Sequence, residues 1–200
     1  MNRIITIGRE FGSGGREVGK RLSDELGIAY YDQEIVTEIA KRTSFSEQYV
    51  QRISEHDPIP SYPIHTGVSF AGSLNPMMEQ SYSIFFEQSD LIKELAEKSD
   101  CIIVGRCADY ILEDKRPFKI FVYADIESRI KRCREKGPDN ENLSDRELRR
   151  RIVDIDKKRA KYYEFYTDKK WGSRLNYDLM INTSNISIKE FVPVLAKLFE

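Results

Sequence analysis

Two arginines bracket a glycine-rich stretch, Gly8-Arg9-Glu10-Phe11-Gly12-Ser13-Gly14-Gly15-Arg16-Glu17, which follows the β-branched run Ile4-Ile5-Thr6-Ile7 and precedes a helical pattern. In such a turn the backbone N–H groups can point inward at an anion, and the helix N-terminus adds the positive end of its dipole. Strand, loop and helix in that order suit a polyphosphate. Set against the phosphate-loop pattern G-x-x-x-x-G-K-[ST], alignment on Gly15 puts Glu10 at the first glycine and Arg16 at the lysine. Glu17 and then Val18 fall where a magnesium-binding hydroxyl is expected. Arg16 is therefore the candidate fixed charge, its planar fork able to grip two phosphate oxygens. Ser13 is the hydroxyl that could hold the metal, through water. A plain tight turn is the alternative use of these glycines. The preceding strand, the following helix and the flanking arginines favour phosphate, with Arg9, Phe11, Gly12, Ser13, Gly14, Gly15, Arg16 and Glu17 as the contact set.

Phosphoryl transfer asks little covalent help of a protein, because positioned cations stabilise the charge spread over the transferring oxygens. The other arginines follow from that. Arg106 comes directly after the apolar run Cys101-Ile102-Ile103-Val104, at the strand end where open α/β sheets bind ligands; the alternative is a surface salt bridge. Arg159 lies on the inward stripe Leu148, Ile152, Ile155, Tyr162 and needs either an acidic neighbour or a phosphate. Arg151, in the run Arg149-Arg150-Arg151, has a solvated helix face and a lid role as even alternatives. Asp32 can cap a helix and can also serve as a site carboxylate that orders a magnesium water or a substrate hydroxyl. His56 and His65 lack ligand-spaced neighbours, so a metal site there is not expected. Tyr82, Phe85 and Phe86 are expected in the core rather than as a base-stacking platform.

The elements that must position these groups alternate. Strands are expected at Ile4–Ile7, Ile28–Tyr31, Cys101–Val104, Phe118–Tyr123 and Asp178–Asn182, with the third and fourth central and parallel. Helices are expected around Val18-Leu22-Leu26 up to Gly27, from Asp32, from Ser46 to Ile53, and from Met77 to Lys98. Further helices run from an Asp125 cap to Lys136, from the box Ser144-x-x-Glu147 to about Phe165, and from Ser187 to Phe199. His56 to Pro76, with four prolines and two glycines, reads as a long irregular excursion. This is a doubly wound α/β fold in one unit. At net charge -1 the chain carries no global field for nucleic acid. No leader or membrane span is read from it, and its three cysteines have no CxxC spacing, so a cytoplasmic location with reduced thiols is expected. No Walker-B carboxylate is evident, which argues against an NTPase coupled to a protein partner.

Gly8 to Glu17, then Tyr31-Asp32, then Ile103-Val104-Gly105-Arg106, together resemble the cytidylate kinase-like branch of the nucleoside monophosphate kinases. The resemblance implies a P-loop NTPase fold: a doubly wound parallel sheet (core 1–32, 98–137 and 167–200), a helical monophosphate-binding insertion (33–97) and a lid (138–166). It also implies ATP and Mg2+ as cofactors, small-molecule nucleotide substrates as partners, no nucleic acid or membrane, and leaves self-association open. On that reading Arg16, Arg106, Arg159 and Asp32 are catalytic and Arg151 joins the donor-binding set. Where the family places an acceptor-binding arginine this chain has Glu38, and where it has Gly-Arg-Asp this chain has Gly105-Arg106-Cys107. The lid pattern survives as Asp156-Lys157-Lys158-Arg159. A catalytically weak nucleotide sensor on the same fold is the alternative.

Overall fold

Apolar runs buried on both faces form the middle of a five-stranded, all-parallel sheet in the computed structural model, which describes residues 2–55, 76–136 and 143–199. The strands are β1 (Ile4–Arg9), β2 (Ala29–Tyr31), β3 (Cys101–Val104), β4 (Phe118–Tyr123) and β5 (Leu179–Asn182), in the order β2-β3-β1-β4-β5. β1 pairs Ile7 with Val104 on one side and with Ile120 on the other, so the expected central strands are central. The helices are α1 (Gly15–Leu26), α2 (Gln33–Thr43), α3 (Glu47–Glu55), α4 (Pro76–Lys98), α5 (Ala108–Ile111), α6 (Ile126–Lys136), α7 (Asp145–Thr167) and α8 (Ile188–Ala196).

Strand alternation splits the core in two. Ile5, Ile7, Ile102, Val104, Ile120 and Val122 face one way and meet Val18 and Leu22 of α1 with Val192 and Leu195 of α8. Ile4, Cys101 and Ile103 face the other way and meet Ile35 and Ile39 of α2, Ile84 and Leu91 of α4, and Tyr162 and Tyr163 of α7. A third cluster, Ile130 and Cys133 with Leu148 and Ile152, ties α6 to α7. All three cysteines are buried, and none is in a disulfide.

Two helix starts follow their sequence signals. Ser144 and Glu147 close the capping box of α7, and the N–H of Ser128 donates to Asp125 Oδ1 over 2.7 Å at the start of α6. Pro76, expected in the irregular excursion, instead opens α4, where its missing N–H costs nothing. α8 ends at Ala196, short of Phe199. Tyr82 and Phe86 depart from the expected core, being 38% and 64% exposed, while Phe85 stacks on Tyr166 at 4.0 Å between ring centroids. The excursion itself, with His56 and His65, lies outside the described residues.

Candidate active site

The glycine loop between β1 and α1 is held from behind. The hydroxyl of Ser13 donates to Glu10 O (2.8 Å), Arg129 Nε to Phe11 O (2.7 Å), Arg132 Nη1 to Gly12 O (2.8 Å), Thr183 Oγ1 to Ser13 O (2.6 Å), and the N–H of Val18 to Gly14 O (2.9 Å). Five successive carbonyls are thus drawn into the protein. A trans peptide aims its N–H opposite to its C=O, so the amides of Gly12, Gly14 and Gly15 face the other way. The first-turn amides of α1 add their dipole, having no intrahelical acceptor. These glycines line a cavity of about 290 Å³ together with Arg16, Arg132 and Arg159. Arg129, Arg132 and Thr183 were not anticipated as anchors. The signal for Arg129 was present: it stands three residues after Ile126 and four before Cys133, on the buried face of α6.

The helix α7 reaches the same loop. The N–H of Phe11 donates to Asp156 Oδ1 on α7 (2.8 Å), and Asp156 also pairs with Arg129, whose Nη1 contacts Glu10 Oε2 at 3.1 Å. Burial raises the Glu10 carboxyl above its usual range, against the opposing pull of Arg129. Asp156→Ala should leave Arg129, 7% exposed, with only Glu10 and the Phe11 carbonyl as acceptors and strand the Phe11 N–H. We expect a loss of about 2 kcal/mol, seen as a melting temperature lower by roughly 4–8 °C in a thermal scan.

The arginines converge at the carboxyl ends of β1 and β3. Arg9 ends β1 with a side chain 9% exposed, its Nη2 3.6 Å from Asp32. Arg16 is half exposed and places Nε 2.7 Å from the other oxygen of Asp32. Asp32 therefore occupies the N-cap position of α2 without capping it, and its expected cap bond is replaced by this shared ion pair. Burial, and then Asp32 itself, push the nearby Tyr30 hydroxyl up to about 12. Arg106 is not a surface salt bridge: it is 5% exposed, with Nη2 3.5 Å from Gln51 on α3. Arg159 Nη1 donates to Arg9 O (3.3 Å), and its guanidinium lies 5.6 Å from the Phe11 ring centre.

A second, smaller cavity of about 40 Å³ lies beside the first, walled by Arg9, Gly105, Arg106, Asp109, Arg159 and Tyr163. Arg9 and Arg159 line both cavities. Asp109 accepts from the Tyr163 hydroxyl at 2.7 Å, and burial raises its carboxyl above the usual range. The folded chain then holds that proton to higher pH than the unfolded chain. The stability contributed by this group therefore falls as pH rises upward from the ordinary aspartate range, about 4. Asp109→Asn removes that slope, so melting curves should move in the variant's favour, relative to wild type, as pH rises.

Two expected contacts are displaced. Ser13 is fully buried with its hydroxyl spent on Glu10 O, so it is not disposed to reach a metal-bound water. Arg151 is exposed on α7; it acts electrostatically on the Cys133 thiol at the cavity rim and does not line the cavity. Glu17 lines the larger cavity and pairs with Arg21 at 2.9 Å. Glu38, at the family's acceptor-arginine position, is half-buried on α2 and pairs with Arg42 at 3.5 Å. Among the described residues no group of three metal-ligating side chains gathers, and no helix is long and apolar enough to cross a membrane.

Comparison with known proteins adds sequence to this geometry. A curated cytidylate kinase from Methanopyrus kandleri is 26% identical over 96% of this chain and 90% of its own. The crystal structure of an uncharacterized protein from Eubacterium ventriosum is 27% identical, with a TM-score of 0.69 over 98% of this chain and 97% of that one. A shikimate kinase structure from Bacteroides thetaiotaomicron shares the fold, with a TM-score of 0.59 at 15% identity over 100% and 99% of the two chains. The sequence model of the cytidylate kinase-like family matches residues 4–185, and the chain belongs to that family.

Proposed function

We propose that this protein moves the γ-phosphoryl group of ATP to the phosphate of a nucleoside monophosphate of the cytidylate type, or to a related small acceptor. The observation that carries this reading is the loop whose successive carbonyls are anchored away from the larger cavity, leaving glycine amides turned toward it. The donor's phosphates sit there, and the acceptor enters beside Arg106. Arg9 and Arg159 stand between. In the transfer, the bond from the γ-phosphorus to the bridging oxygen breaks and its electron pair stays on ADP. A new bond forms to the acceptor oxygen, which, if it belongs to an ionised phosphate, has no proton to lose. The guanidinium groups stabilise the charge as it spreads over the oxygens in flight.

The chemistry that magnesium would supply when bound with the donor is neutralisation of phosphate charge. Such an ion keeps most of its waters and takes few protein ligands. Asp32 is the residue that would order one of those waters, since its buried Oδ1 makes no hydrogen bond. The smaller cavity has room for about one or two waters, so an acceptor requires its walls to part. Gln51 on α3 and Arg159 on α7 bear on it, which supports residues 33–97 as an acceptor-binding insertion and 138–166 as a lid.

The alternative, a weakly active nucleotide sensor, is favoured by Asp156, whose carboxylate occupies the Phe11 amide. A panel of nucleoside monophosphates with Mg·ATP, followed as ADP release, separates the two. A kinase releases ADP only with its acceptor present. A sensor gives no acceptor-dependent ADP, yet Mg·ATP at about 100 times its Kd still stabilises it by roughly 2.7 kcal/mol in a thermal scan.

A further inference from the structure

We propose that Arg9, at the end of β1, delivers to the donor's phosphates the positive charge that a phosphate-loop lysine would deliver from the helix. The inference rests on the donor site proposed above. A loop lysine rises from the first turn of the helix toward the phosphates. Here the first residue of that helix is Gly15, and a Cβ placed on it would lie 2.5 Å from Arg9 Cβ and 3.1 Å from Arg9 Cγ. No side chain fits at position 15 because the stem of Arg9 fills that volume. Beyond the stem, the guanidinium passes over Gly105, where a Cβ would lie 1.8 Å from Nη1 and 2.8 Å from Cζ. Two close approaches, at Gly15 and Gly105, thus clear a path for one arginine, which still lines the wall of both cavities.

Arg16, next to Gly15 in sequence, has a different task. Its side chain leaves the loop for Asp32, and the two oxygens of Asp32 face Arg16 and Arg9 in turn. Arg16 and Asp32 therefore position Arg9, while the Arg9 guanidinium is the group that meets the phosphates. As the bond to the γ-phosphorus breaks and its electron pair collects on the bridging oxygen of ADP, a fork of N–H donors fixed in a buried site needs no reorganisation.

The test measures Mg·ATP binding by calorimetry and acceptor-dependent ADP release for Arg9→Gln, Arg16→Gln, Arg9→Gly, and the double variant Arg9→Gly/Gly15→Lys. Arg9→Gln keeps most of the stem volume and removes the charge. It should weaken Mg·ATP binding at least ~10-fold and lower kcat/KM about 100-fold, whereas Arg16→Gln should lower kcat/KM less than ~10-fold. The double variant moves the cation back to the helix and should exceed Arg9→Gly by ~10-fold or more. Wild-type behaviour of Arg9→Gln, or a larger loss in Arg16→Gln, would overturn the assignment, as would a folded double variant no better than Arg9→Gly. Should Arg9→Gln fail to fold, the double variant decides. Wild-type protein that binds no Mg·ATP removes the donor reading itself, a result distinct from any difference among variants.

Discussion

Gly105→Ala is expected to lower kcat/KM by about two orders of magnitude and also to cost stability. Its φ of +73° is followed by φ of 59° at Arg106 and 54° at Cys107, three successive left-handed residues at the end of β3. Strain of this kind gathers at functional sites and persists because the surroundings fix it. An alanine at 105 adds a left-handed penalty of about 1–2 kcal/mol, or a melting temperature lower by roughly 2–8 °C. The functional effect is larger. The new methyl would stand 1.8 Å from Arg9 Nη1, so the guanidinium must move by more than an ångström. A displacement of about 1 Å in a positioning group can cost ~100-fold in rate. Steady-state kinetics beside a thermal scan check both parts; wild-type kinetics in a folded Gly105→Ala protein would count against the account of Arg9.

Arg159→Ala is expected to lower kcat by about 100-fold to 1000-fold and to change KM for ATP much less. The residue lines both cavities and donates to the backbone of Arg9, so under the proposed function its charge would meet the phosphoryl group in transfer rather than the nucleoside. An interaction strongest in the transition state appears in kcat. Arg159→Lys should recover part of the loss, because it restores a point charge without the planar fork. The contact with Phe11 is incidental to rate, and its removal should cost under about 1 kcal/mol of stability. Equal effects of both variants on KM alone would place Arg159 in ground-state binding.

The sequence made the scaffold readable because its signals are local. Cys101–Val104 and Phe118–Tyr123 are apolar runs that only a sheet covered on both faces can hide, and Ser144 with Glu147 writes a helix start into four residues. The places of Arg106 and Arg159 on the wall of the smaller cavity were also legible, one from its position after a buried strand and the other from a helical stripe. Arg9 was assigned to the contact set but not to its task, because alignment registers that Arg16 follows Gly15 and carries nothing about which stem occupies the space above Gly15. Asp32 shows the same limit. Its place before a helix reads as a cap, yet two arginines 16 and 23 positions earlier claim its oxygens. Arg129, Arg132 and Thr183 escaped notice because their partners are carbonyls of a loop more than 100 residues away, a pairing created by the fold.

The most direct measurement follows phosphorus itself. With Mg·ATP and each nucleoside monophosphate in turn, 31P NMR should record the γ resonance falling while ADP and one new nucleoside diphosphate grow in step, with inorganic phosphate staying flat. That is the result expected if the two cavities hold donor and acceptor on either side of Arg9 and Arg159. ATP consumed only to inorganic phosphate, at a rate indifferent to every monophosphate offered, would contradict it.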